Sequence, residues 1–545
     1  MDKRTLVAMF LVVVIFMVLQ TYVFKPKQPQ QQPAQAQPAA QTQKPAPDSL
    51  AKTPAAITTA TTSRFLAADS TRTLTLANDL IKVQFSTLGA SISSLELQKY
   101  TTTDHRSLVN LVPPGKSLAG IKLLGANAGP DLKALNWFHA QPAPDSLVFW
   151  LGSATAPLVR KTFTLDGKYG LRMHVSVQDS VAVNGVEYDF SAGIADSEKV
   201  KPKSKNVDYK LLLFAGNDLQ KIPLGKIAKE QPGGPLDAFK WAALRTKYFT
   251  LAVHETGASL IRNFKAAPNP DTGNPSLVLD SYDRVPSSTW EQEFLIYTGP
   301  ADYDILKGYA GSRLEKIPER GPAWLWWLSN AIAWLLKFLH SFIPNYGLVI
   351  IIFSIILKIV LNPLTKKSMD ANLKMQKIQP QVQALQAKYK SDPKTLQLEL
   401  SKLYKQAGAS PMSGCLPLLL QMPIFISLYN VLRYTMDMRN ARFLGWLKDL
   451  SEPDPYWILP ILMAGFMILQ SLMMRPSQAA LEQMDEKQKA MQQSTKMMTW
   501  LMPIMMFFIF MGLPSGLVLY YTVFNILSVA QQYYLQKHLK QKETA

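Results

Sequence analysis

A single cysteine, Cys415, stands among 545 residues. That excludes an intrachain disulfide and any multi-cysteine metal site, although much of the chain is expected to face an oxidising compartment. Cys415 is expected to pack as a small apolar residue. Histidine is scarce too. Of six, His105, His139, His174 and His254 scatter through one β-rich stretch, where surface and core roles outweigh catalysis, and no pair has metal-ligand spacing. There is no nucleotide-binding glycine loop and no nucleophile elbow. The chain therefore does not read as an enzyme, and no cofactor or metal is expected. Acidic residues are few as well: 39 against 58 Lys and Arg leave a net charge of +19. This excess does not mark a nucleic-acid binder, because the lysines cluster beside apolar helices, as the positive-inside rule expects.

The apolar residues are concentrated in a few long runs, which makes the chain a membrane protein. Leu6 to Phe24 follows Asp2-Lys3-Arg4 and is closed by Lys25-Pro26-Lys27, not by a small-x-small cleavage site. Residues 1–24 thus read as an uncleaved anchor with its N-terminus in the cytoplasm. Residues 25–63 are Pro, Gln, Ala and Thr with almost no large apolar side chains, a disordered tether. Residues 64–313 change character. Ile81-Lys82-Val83-Gln84-Phe85 alternates, as does Leu171 to Val177 after the turn signal Asp166-Gly167, and short runs recur at Phe249 to Val253 and Trp290 to Ile296. This pattern predicts an all-β sandwich.

Residues 321–341 carry four of the eleven tryptophans, Trp324, Trp326, Trp327 and Trp334. By length this segment could cross a bilayer, but a crossing here would deliver the lysine-rich segment that follows to the outside. An amphipathic helix in the outer interface is the consistent reading. Five further apolar segments, about 346–364, 415–433, 456–474, 497–512 and 515–533, give six crossings with the anchor and put both termini in the cytoplasm. The core thus spans 346–535, and 536–545 form a basic cytoplasmic tail. Residues 366–405 hold nine lysines against three acidic residues, while 434–455 balance three basic against four acidic. Within 366–406, Val382, Leu385 and Tyr389 share one helical face and Leu396, Leu400 and Leu403 another, separated by Ser391-Asp392-Pro393. A cytoplasmic helical hairpin results, its first arm kinked at Pro380.

One lysine sits inside an apolar run. Lys358 lies in VIIIFSIILKIVLNPLT (residues 349–365), with Ser354 four residues before it and Asn362 four after, so three polar groups share one helical face. The last apolar segment repeats the pattern with Tyr521, Asn525, Ser528 and Gln532. Two polar stripes suggest one shared cavity, since intramembrane charges face a protein interior or water. A snorkelling lysine and ordinary interhelical hydrogen bonding are the alternatives. Eighteen of the 22 methionines follow residue 360, which fits either generic helix packing or a surface that accepts many apolar helices.

NPLTKKSM (362–369), SGCLPLLLQMPIF (413–425), DPYWILPILM (454–463) and LPSGLVLYYTVFN (513–525) resemble the YidC/Oxa family of membrane protein insertases in its Gram-negative form, and the similarity covers nearly the whole chain. The resemblance implies a five-helix α-helical core with a groove open to cytoplasm and lipid, a periplasmic β-supersandwich, and residence in the bacterial inner membrane. It implies a chaperone-like insertase for nascent membrane proteins that acts alone or with the Sec translocon, and contacts with the ribosome or signal-recognition targeting machinery and with anionic phospholipids. The family's groove charge is commonly arginine, and Lys358 occupies that position here. Ser354 and Tyr521 match groove positions. Met422, Phe425, Met505 and Ile509 match a greasy face along which client helices slide toward lipid. A transporter or channel, and an enzyme built on the β domain, are the rival classes; no internal repeat supports the first and no catalytic pair the second.

Overall fold

The computed structural model describes residues 65–125, 129–178, 183–198, 202–282, 289–389, 392–408, 416–473 and 500–544. The expected anchor (1–24), tether (25–63) and the packing of Cys415 lie outside these residues.

The alternation in Ile81-Lys82-Val83-Gln84-Phe85 becomes a strand, Ile81–Ser86, whose Ile81, Val83 and Phe85 are fully buried. With Thr73–Ala77, Ser91–Thr101 and Leu108–Asn110 it builds a four-stranded antiparallel sheet. A five-stranded antiparallel sheet runs in the order Gly233–Pro235, Ile261–Pro268, Pro275–Tyr282, Gly185–Phe190, Gly120–Leu124. The third sheet has nine strands. Its order is Asp218–Pro223, Lys210–Ala215, Phe239–Arg245, Phe249–Glu255, Thr289–Pro300, Gly170–Gln178, Pro157–Leu165, Ser146–Gly152, Phe138–Ala143. The turn into Gly170–Gln178 is built as its sequence suggests. Gly167 takes a φ of +75°, and the Asp166 carboxylate accepts the Lys168 and Gly170 amides at 2.8 and 2.9 Å. Leu171, Met173, Val175 and Val177 then point into one continuous apolar core shared by all three sheets.

Seven helices follow among the described residues: α1 (Trp326–His340), α2 (Tyr346–Lys388), α3 (Pro393–Gln406), α4 (Leu416–Tyr434), α5 (Ile458–Met473), α6 (Trp500–Phe510) and α7 (Ser515–Thr544). The stretch Tyr346–Lys366 of α2, with a mean hydropathy of 2.4, is the one described helix long and apolar enough to cross a membrane by length and composition; α5 and α6 are shorter apolar helices. Val349, Ile350, Phe353, Leu428, Leu517 and Val518 form the centre of the helical core. The helix α2 runs unbroken through Pro363 and Pro380. At its far end Ile378 and Val382 pack against Leu400, Leu403 and Tyr404 of α3. Asp392 caps α3 by accepting the Lys394 and Thr395 amides at 3.2 Å, with Pro393 in the first turn.

The β domain is seated on one end of the bundle through buried polar contacts. Glu319, in the connection to α1, meets Lys210, Lys221 and Arg245 from three adjacent strands at 2.7, 3.0 and 3.5 Å. Burial by itself would raise the Glu319 carboxyl, but the three cations outweigh it and hold it well below the usual carboxylate range. Gly321 then turns the chain with φ +78°; a Cβ there would stand 2.7 Å from the Asn430 side chain on α4. At the end of α4, Arg433 and Tyr434 both bond Asp208 of the β domain. Farther along, Arg439 pairs with Glu198 at 2.7 Å. The loop after it caps α7, its Glu452 and Leu450 carbonyls accepting the Ser515 and Gly516 amides at 2.8 and 2.9 Å.

Candidate functional site

The two polar stripes meet where α2 packs against α7. Lys358 is 9% exposed and its ammonium donates to the Ser528 hydroxyl at 2.7 Å. It also stands 4.5 Å from the centre of the Phe524 ring. Toward the far end of the same helix pair, the Gln531 amide donates to Asn362 Oδ1 at 2.6 Å, in an exposed position. Ser354 is fully buried, yet its hydroxyl donates back to the Ile350 carbonyl of its own helix at 2.6 Å and does not reach across.

The rest of the α7 stripe is buried and only partly satisfied. Asn525 and Gln532 are 9% and 5% exposed, and the Asn525 Nδ2 and Gln532 Oε1 atoms have no hydrogen-bond partner among the described residues. An amide orphaned in an apolar bundle costs about 1–3 kcal/mol, so these groups ask for water or a polar visitor. Tyr521 is half-buried among aromatic rings, 5.7 Å from Phe425, 5.0 Å from Phe510 and 5.0 Å from Tyr520, centre to centre. Phe425 thereby joins the polar stripe to the apolar face. Met422 is half-buried on the same helix, while Met505 and Ile509 lie exposed on α6.

Three participants escape a periodic reading of the stripe. Gln421 donates to the Tyr520 hydroxyl at 2.9 Å, tying α4 to α7; as a lone amide in LLLQMPIF it was visible in principle. Gln531 lies three residues after Ser528, on the edge of the stripe. Phe524 carries no polar atom and gives no signal until Lys358 is placed over it.

Electrostatically the site is one-sided. The apolar segments 346–365, 416–433, 456–473 and 500–533 contain no Asp or Glu, and among the described residues Lys358 has no ion pair. A buried cation, orphaned amides and hydroxyls can hydrate a cleft and attract an anionic group; they contain no nucleophile–base pair. Among the described residues no cluster of His, Cys, Asp or Glu could hold a metal.

An all-β domain seated on apolar helices, one of them long and apolar enough to cross a membrane, fits an integral membrane protein with a large extramembranous domain. Residues 73–335 match the model of the YidC periplasmic domain and residues 338–543 that of the 60Kd inner membrane protein family. The membrane protein insertase YidC of Geotalea daltonii is 30% identical over 565 residues, covering 99% of this chain and all of that one. That of Syntrophus aciditrophicus is 29% identical over 571 residues, covering 98% of this chain and all of that one. A crystal structure of an active YidC insertase with its first transmembrane domain resolved is 18% identical, covers 86% of this chain and 94% of that one, and superposes with a TM-score of 0.37. The chain belongs to the YidC family of membrane protein insertases, inner-membrane proteins with a periplasmic domain, whose named function is not enzymatic.

Proposed function

We propose that this chain moves transmembrane helices of nascent membrane proteins into the inner membrane through a hydrophilic groove lined by Ser354, Lys358, Asn362, Tyr521, Asn525, Ser528 and Gln532. The observation that carries this reading is Lys358, a buried ammonium with a hydroxyl and a ring for neighbours and, among the described residues, no carboxylate. A charge within an apolar helix costs up to roughly 2.5–3.5 kcal/mol on insertion scales, and a structural role alone would be served by an apolar residue. Here the charge hydrates the groove and attracts the polar, often acidic, segment that a client must carry across. The client's apolar helix leaves along Met422, Phe425, Met505 and Ile509 into lipid, driven by burial at about 25 cal/mol per Å². This reading requires no nucleotide and no nucleic-acid substrate.

The proposed topology has six crossings, with both termini and the α2–α3 hairpin in the cytoplasm. The helix α1, about 22 Å long, is too short for a ~30 Å hydrocarbon core. It turns Trp327 and Trp334 outward, and the turn Ala323–Leu325 just before it does the same with Trp324, each more than 60% exposed, which supports an interfacial position. The basic hairpin offers a surface to anionic phospholipids and to the ribosome or signal-recognition targeting machinery, and the Sec translocon is a second route by which clients arrive. Site-specific crosslinking from Ser354 and Tyr521 to a stalled nascent chain tests the groove. Crosslinks confined to acidic or polar client segments are expected; ion flux through the purified protein in liposomes without client crosslinks would favour a channel instead.

A further inference from the structure

Lys358 is long enough to leave the position in which it is found. Only five residues separate it from Pro363 near the cytoplasmic end of the apolar run, about 7.5 Å of helix rise, and a lysine stem readily carries its charge to the headgroups. Its neighbours Ile359 and Val360 are 66% and 64% exposed, so the apolar surface beside it is open. The ammonium is nevertheless turned inward, onto α7.

Two residues one helical turn apart make the seat. The Ser528 hydroxyl gives its own hydrogen to the Phe524 carbonyl at 2.8 Å, which leaves its lone pairs free to accept from Lys358 at 2.7 Å. The Phe524 ring presents its face to the same ammonium at 4.5 Å. We propose that Phe524 and Ser528 are positioning residues that hold the Lys358 ammonium between α2 and α7 and keep it from snorkelling to the cytoplasmic headgroups. The seat is neutral. A carboxylate in its place would hold the lysine harder and also cancel the charge, whereas a hydroxyl and a ring fix its position and leave one N–H and the full positive charge available to an incoming anionic group. This deepens the groove reading above and rests on it.

The test reads the position of the amine, which does not depend on insertion activity. In inverted inner-membrane vesicles containing the full chain, an impermeant amine-acylating ester is applied to the cytoplasmic face. Modification of Lys358 is then quantified by peptide mass spectrometry against exposed Lys366. Seated Lys358 is expected to react slowly in the parent, and combining Phe524→Leu with Ser528→Ala should speed its modification roughly tenfold, the scale of one cation–π contact and one hydrogen bond together. Phe524→Tyr, which retains a π face, should stay at the parental rate while Phe524→Leu alone does not, a split that a purely space-filling role of residue 524 would not produce. Lys358 reactivity within twofold of the parent in the double variant, or equal effects of Tyr and Leu at position 524, would overturn the seat. Failure of the groove reading shows up separately, as Lys358→Met inserting acidic clients normally.

Discussion

Arg433 and Asp208, separated by 225 positions in the chain, form a two-point ion pair at the junction of the bundle and the β domain. The guanidinium Nη2 lies 2.8 Å and Nε 3.3 Å from the two carboxylate oxygens, and the Tyr434 hydroxyl donates to the same carboxylate at 3.0 Å. Both partners are nearly out of water, at 10% and 0% side-chain exposure. Such a pair returns little net stability over an apolar contact, but removing one partner strands a buried charge at a cost of about 3–5 kcal/mol.

Asp208→Ala is therefore expected to destabilise the purified protein by about that amount, and Asp208→Ala with Arg433→Met by clearly less than Asp208→Ala alone. Thermal unfolding of the detergent-solubilised chain, followed by near-ultraviolet circular dichroism, measures both. A double variant as unstable as the single would show that the pair acts through packing and not through the stranded charge.

A second prediction concerns pH and Lys161, fully buried in the β domain. Its amine donates to the carbonyls of Ala90, at 2.8 Å, and Ala119, a demand that the two N–H groups of a neutral amine meet. Burial pushes its pKa down from 10.5 to about 7. Between those two values the unfolded chain binds a proton that the folded chain does not, so this residue makes stability rise with pH through that window and leaves it flat below. Melting temperatures between pH 7 and 9.5 should rise in the parent relative to Lys161→Met, and parallel curves would refute the assignment.

The orientation of the hairpin gives a third. Single cysteines placed at Lys388, in a Cys415→Ser background, should react with impermeant maleimides only after the cytoplasmic side is opened. Labelling in intact cells would put α2 and α3 on the wrong side and remove the six-crossing topology.

Much of this was legible because it is periodic. Ile81–Ser86 and Gly170–Gln178 announce their buried faces by alternation, and Lys358, Asn525, Ser528 and Gln532 by helical spacing, which also puts them all in buried positions. Ser354 and Asn362 fall on the same face of α2, yet the one bonds its own helix and the other is exposed, because spacing fixes a direction and not a partner. The contacts between elements left no such trace. Asp208–Arg433, Glu198–Arg439 and Gln421–Tyr520 join residues that are ordinary in their own segments and acquire meaning only once the β domain is seated on the bundle. The contact of Lys358 with the Phe524 ring was hidden for the same reason.

Charge and geometry at the proposed groove separate in Lys358→Arg. The guanidinium retains the positive charge and the long stem while exchanging a compact ammonium for a planar fork. Insertion of all clients into proteoliposomes is expected to stay near the parental rate, as measured by protease protection of translocated segments. A selective loss would mean that the compact ammonium itself is required.

Lys358→Met tests the central claim most directly. The substitution keeps the length, removes the charge and relieves the cost of burying it, so the protein should accumulate normally. A charge pair ~4 Å apart at an effective dielectric near 20 is worth roughly 4 kcal/mol before desolvation, and groove water should lower this to ~1–2 kcal/mol, or about tenfold in rate. Insertion rates are to be compared for two versions of one client that differ only in whether the translocated segment carries acidic or neutral side chains. The account predicts that Lys358→Met slows the acidic version about tenfold and spares the neutral one; equal insertion of both at normal protein levels would contradict it.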